Sequence, residues 1–146
     1  MPRFLPDTSC MVASLCGWHE QHEAAARAIN DRLDGGQVMV IAGPALVEAY
    51  AVLTRLPPPH RLSPAVALAA IERSFMGESV ELVSLEPGAY LRLLRTAPGR
   101  DIAGGTTYDA VIMACAEVAQ VDTLLTFNAR HFRQFEAEGV QIVVPA

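Results

Sequence analysis

With 146 residues, 51% of them hydrophobic, the chain has the length for one domain with a real core and is too apolar to be disordered. Its formal charge of −5 excludes a module that coats polyanions with overall positive charge, while leaving room for a local basic rim. All 11 basic residues are arginine, so P-loop, receiver-domain, Schiff-base and HAD-type chemistries, each of which needs a lysine, are excluded.

In chain order, the pattern predicts a strand over 3–6, a helix over 8–16 closed by Gly17, and a helix over 19–34 ended by Gly35-Gly36. A strand over 38–42 follows, then a helix over 44–55 with Pro44 at its first position and another over 64–76 opened by Ser63-Pro64. Next come a strand over 80–84, a short helix over 87–95, and a helix to 120 capped by Thr106 or Thr107. A strand over 123–127, a helix over 129–138 and a strand over 140–144 complete the chain. Short apolar runs alternating with helices predict an α/β fold in three layers, a mostly parallel sheet of about five strands flanked by helices, as a single domain over 1–146. Pro6 is acceptable only at a strand end. No apolar run reaches membrane-spanning length and no basic-then-apolar leader opens the chain, so a soluble, cytoplasmic protein with no membrane partner is expected. The three cysteines, Cys10, Cys16 and Cys115, form no CxxC pair and are expected to be buried thiols.

The strongest chemical signal is three isolated acids. Asp7 is the only charge between Phe4 and Trp18, Glu48 the only one between Val38 and Thr54, and Asp109 the only one between Ile102 and Ala116. An ionised carboxylate in an apolar segment costs several kcal/mol unless it is compensated, so the set needs either a cationic partner for each acid or one shared cation. Asp7 falls at the carboxyl end of the first strand, Glu48 about a turn into the helix after the second, and Asp109 in the first turn of a helix entered from Gly104-Gly105. Asn128 follows the strand over 123–127, and all four can reach the crevice beyond the carboxyl ends of a parallel sheet. Oxygen donors without His or Cys select Mg²⁺ or Mn²⁺. Each also has a structural reading: Asp7 as the cap of the first helix, Asp109 as a helix-start carboxylate, Asn128 as a turn or cap residue. Glu48 has no capping role at its depth, and a shared cation explains the three acids together. The histidines, His19, His22, His60 and His131, are scattered in charged or turn segments, and His19 and His22, at helical spacing without a third ligand, read as a solvated face rather than a zinc site. No nucleophile elbow is present.

These residues resemble the PIN-domain ribonucleases, in particular the VapC-like toxins of type II toxin–antitoxin systems. "FLPDTSCMVASL" is similar to their first strand and helix, "PALVEAYAVLTRL" to the helix bearing the second acid, and "TTYDAVIMACAEVAQVDTLLTFNARHF" to the closing segment. The resemblance implies that Asp7, Glu48 and Asp109 hold a Mg²⁺ or Mn²⁺ ion, with Asn128 at a fourth position that is often Asp. Thr8, Ser9 and Thr126 become hydrogen bonders to that set. It further implies metal-assisted, in-line hydrolysis of tRNA, rRNA or mRNA leaving a 5′-phosphate, a cognate VapB-like antitoxin and a homodimer. Arg55, Arg61, Arg92, Arg95, Arg100, Arg130 and Arg133 are candidates for the basic rim. Two alternatives remain: a non-catalytic PIN-like RNA-binding or interaction module, and a PIN ribonuclease of RNA processing outside toxin–antitoxin systems.

Overall fold

The computed structural model describes residues 1–135 and 139–146. Five strands, β1 (Arg3–Pro6), β2 (Val38–Ala42), β3 (Glu81–Val83), β4 (Thr123–Leu125) and β5 (Gln141–Val143), form one sheet in the order β3-β2-β1-β4-β5. All four pairings are parallel, with Phe4 opposite both Met39 and Thr123. A parallel sheet is covered on both faces, so its inner strands must be continuously apolar. Accordingly Phe4 and Leu5 of β1, Met39 to Ala42 of β2, and Leu124 and Leu125 of β4 are all buried. The edge strands are only three residues long, and β3 exposes Glu81 and Leu82, a length and charge that discourage edge pairing. Pro6 sits at the last position of β1, opposite Leu125, where no donor is required.

Seven α-helices flank the sheet among the described residues: α1 (Thr8–Leu15), α2 (His22–Asp34), α3 (Gly43–Arg55), α4 (Pro64–Phe75), α5 (Pro87–Thr96), α6 (Gly105–Val118) and α7 (Ala129–Arg133). Helix α4 shows how the sequence specifies one of them. Ser63 caps it by accepting from the Val66 N–H at 3.3 Å, Pro64 fills its first turn, and Ala67, Ile71 and Phe75 recur every fourth residue to reach the core. Ser63→Ala is expected to destabilise the protein by about 1 kcal/mol, measured as a shift of the urea midpoint at unchanged slope. The three cysteines are free and buried, and burial pushes the Cys115 thiol up to about 11.

Several expected boundaries move, and those of α2 and α6 do so for a local reason. Helix α2 begins at His22 rather than at residue 19, because the His19 ring accepts the Gln21 N–H at 3.0 Å and holds a turn there. Helix α6 is not capped by Thr106 or Thr107. Gly104 occupies the N-cap with φ 58°, a backbone state open to glycine, so the helix starts at Gly105. Thr106 instead donates to the Ala103 carbonyl at 2.6 Å, and Asp109 therefore lies in the second turn of α6, not the first. Helix α7 spans Ala129–Arg133, and the last three positions of the helix expected over 129–138 lie outside the described residues.

From β1 the chain passes to β2 and β3 on one side, then returns to place β4 and β5 on the other. The reversal lies between β1 and β4. In open parallel sheets such a switch point opens a crevice at the carboxyl ends of the strands.

Candidate active site

Asp7 follows β1 at that switch point and is 2% exposed. Its Oδ1 accepts from Ser9 Oγ at 2.6 Å and from the Cys10 N–H at 3.0 Å, while Oδ2 accepts from Thr126 Oγ1 at 2.6 Å. The capping and buried-site readings of Asp7 are therefore not alternatives, since one carboxylate caps α1 with one oxygen and reaches β4 with the other. Ser9 Oγ in turn accepts the Phe127 N–H at 3.2 Å, and Thr126 Oγ1 accepts the Asn128 N–H at 2.8 Å. Each hydroxyl thus spends its single proton on Asp7 and its lone pairs on the loop after β4. Thr8 does not join them. Its Oγ1 is buried next to Asp7 in the chain, without a hydrogen-bond partner among the described residues.

Desolvation raises the Asp7 pKa above the usual carboxylate value, the Ser9, Thr126 and Cys10 hydrogen bonds oppose the rise, and the charge of Asp109 adds to it. Asp109 is raised as well, first by burial and also by the charge of Glu48, against a lowering by His131. Its Oδ2 meets His131 Nδ1 at 3.2 Å. Three acids from α1's cap, α3 and α6 therefore act on one another electrostatically in a chain, Glu48 on Asp109 and Asp109 on Asp7. His131, which stays exposed, is the member to which sequence reasoning assigned no role. The available signal was its place in the short segment after β4, three residues beyond Asn128.

Asn128 enters this network through its backbone. It occupies the N-cap of α7 but makes no side-chain cap bond, and it is exposed. Among the described residues no three His, Cys, Asp or Glu side chains already stand gathered as a metal-ligand group. In donor chemistry the residues fit a hard divalent cation all the same. Two mutually repelling, partly desolvated carboxylates, a third acid beside them and an orphaned hydroxyl at Thr8 would all gain from a positive charge.

Glu48 is half-buried and borders a cleft of about 490 Å³ between α3 and α6, lined by Pro44, Val47, Ala51, Arg55 and Tyr108. Of the seven rim arginines, Arg55 is the one lining this cleft. Arg61 Nε is spent on the Leu56 carbonyl at 2.8 Å, and Arg100 lies over the Phe135 ring at 5.7 Å. A second cavity of about 500 Å³, between α1, α2 and α4, contains none of the three acids.

The PIN domain model matches residues 4–138. The chain is 41% identical to Ribonuclease VapC40 of Mycobacterium tuberculosis over 137 residues, covering 94% of this chain and 95% of that protein. Its backbone superposes on the crystal structure of Mycobacterium tuberculosis VapC20, a sarcin-ricin loop cleaving toxin, with a TM-score of 0.73 at 16% identity, over 92% of this chain and 97% of that one. The DNA-bound VapBC of Salmonella typhimurium gives a TM-score of 0.67 at 19% identity, over 99% and 98% of the two chains. A five-stranded parallel sheet, a buried aspartate at its switch point and a family match along nearly the whole length together place this chain in the PIN-domain family.

Proposed function

We propose that the chain is an endoribonuclease that hydrolyses RNA phosphodiester bonds with Mg²⁺ or Mn²⁺ and acts as the toxin of a VapBC-type pair. The observation that carries the reading is Asp7, buried at the carboxyl end of β1 at the switch point of the sheet and held there by Ser9, the Cys10 N–H and Thr126. The 41% identity to a VapC ribonuclease supports it independently. Asp7, Glu48 and Asp109 would hold the cation, with the Asn128 amide as a neutral fourth donor. Such an ion supplies positive charge for a phosphate oxygen and lowers the pKa of water.

The remaining work belongs to the protein. Ser9, Thr126 and the Cys10 N–H hold Asp7 fixed in orientation, so its geometry is set before any substrate arrives. His131 fixes one oxygen of Asp109. The substrate is RNA, of the tRNA, rRNA or mRNA class, cut to leave a 5′-phosphate. A VapB-like antitoxin is the proposed partner, and a homodimer the proposed assembly. Helices α4 and α5 leave Val66, Leu68, Leu91 and Leu94 exposed, and these apolar side chains are suited to burial between subunits. The nuclease unit is taken as the whole of 1–146, acting in the cytoplasm. No helix among the described residues is long and apolar enough to cross a membrane.

Expression of the chain alone is expected to arrest growth, and co-expression of the cognate antitoxin to restore it. Unslowed growth with folded protein in the cells would favour a non-catalytic PIN-like module. Activity on RNA without growth arrest would favour an RNA-processing nuclease outside toxin–antitoxin systems.

A further inference from the structure

The cleft between α3 and α6 has a composition that metal binding does not use. Tyr108 is 60% exposed, immediately precedes Asp109, and forms one wall. Val47, 70% exposed, and Ala51 form the other wall, on the face of α3 that carries Glu48. An exposed tyrosine facing an apolar strip is a stacking platform, since every nucleobase offers a π-face and an aromatic ring binds it whatever the sequence. Arg55 closes the far end. It lies seven residues beyond Glu48 on the same helix, about 10 Å along the axis, a separation that leaves room for one nucleoside between a phosphate beside the acids' cation and a guanidinium-bound one.

We propose that this cleft is a nucleobase subsite for single-stranded RNA. The base of the nucleotide adjoining the scissile phosphate stacks on Tyr108 against Val47 and Ala51, and Arg55 holds the following phosphate. The inference rests on the ribonuclease reading above and deepens it. It assigns the enzyme a single-stranded substrate at the cut, because a base inside a duplex cannot present its face to a side chain.

The test is equilibrium binding of short single-stranded oligouridylates carrying 2-aminopurine at successive positions, in chelator so that no strand is cut. Wild type is expected to quench the probe strongly at one position. Tyr108→Ala should bind roughly 5- to 150-fold more weakly and lose that quench, whereas Tyr108→Phe keeps both. Because Tyr108 is mostly exposed, its truncation leaves the core intact. Arg55→Ala should keep the quench and reduce the slope of log affinity against log salt by about 0.7. Tyr108→Ala binding and quenching like wild type would overturn the subsite while leaving the ribonuclease reading in place. Wild type that neither binds nor cuts RNA would overturn that reading, and the subsite with it.

Discussion

Purified Asp109→Asn protein is expected to lose RNA cleavage by more than about 100-fold relative to wild type, at the limit or beyond of what changing a hydrogen-bond partner of a metal ligand does. The change preserves shape and removes one negative charge from the chain of carboxylates running from Glu48 to Asp7. Glu48→Gln and Asp7→Asn should match it, for the same reason. Asn128→Ala should be milder, because the position contributes no charge and enters the network by its N–H. Asn128→Asp should tighten divalent binding. Single-turnover cleavage and a metal titration check all of these. Near-wild-type cleavage by Asp109→Asn would remove the basis for a shared site, and an unchanged titration in Asn128→Asp would separate that residue from the metal.

The second large effect is on stability. A cation bound only by the folded protein stabilises it by mass action, about 2.7 kcal/mol at a concentration 100 times its Kd. For a domain of this size that is a rise in Tm on the order of 8 °C. The pH dependence of the metal-free protein follows from the direction of the shifts. Asp7 and Asp109 both have folded pKa values above their unfolded ones, so the folded state holds protons that the unfolded chain has already released. Stability in chelator should therefore fall as pH rises from the unfolded aspartate value, about 3.9, through the raised folded values. Mn²⁺ should restore it at the upper end. Asp109→Asn in chelator should be at least as stable as wild type and flatter with pH. Asp7 behaves differently because it also caps α1. Asp7→Asn keeps an acceptor for the Cys10 N–H and should melt near wild type. Asp7→Ala strands the Thr126 hydroxyl and the cap, and should lose about 1–3 kcal/mol. Melts that metal shifts in none of these proteins would leave the carboxylates with structural roles only.

What the sequence made legible was what local chemistry encodes. The strands at Arg3–Pro6 and Val38–Ala42 coincide with continuous apolar runs, which inner strands of a parallel sheet require. The three acids stood out because each is alone in an apolar stretch, and the alternation of elements set Asp7 at the end of β1. What was missed depends on contacts distant along the chain or on backbone state. His131 has no assigned role in the sequence, and α7, while leaving it exposed, brings it within 3.2 Å of Asp109, 22 residues earlier. The start of α6 was misplaced because a threonine looks like a cap, whereas a left-handed Gly104 begins the helix without one. Thr8 was grouped with Ser9 and Thr126 through the family resemblance, yet of the three only Ser9 and Thr126 donate to Asp7. Capping and burial at Asp7 were weighed as rivals, although a carboxylate has two oxygens and uses one for each.

The hydrogen bond between Thr126 and Asp7 joins residues 119 positions apart. Ribosomes deliver a chain from its N-terminus at about 5–20 residues per second, so Asp7 waits some seconds for its partner to be translated. Strand β4, which fills the place beside β1, arrives equally late. A chain broken off before that point lacks the neighbour that completes the central strand and the hydroxyl that orients the first acid. Abandoned translation products of this gene would thus be inert, and a host cell would meet its full nuclease only as complete molecules.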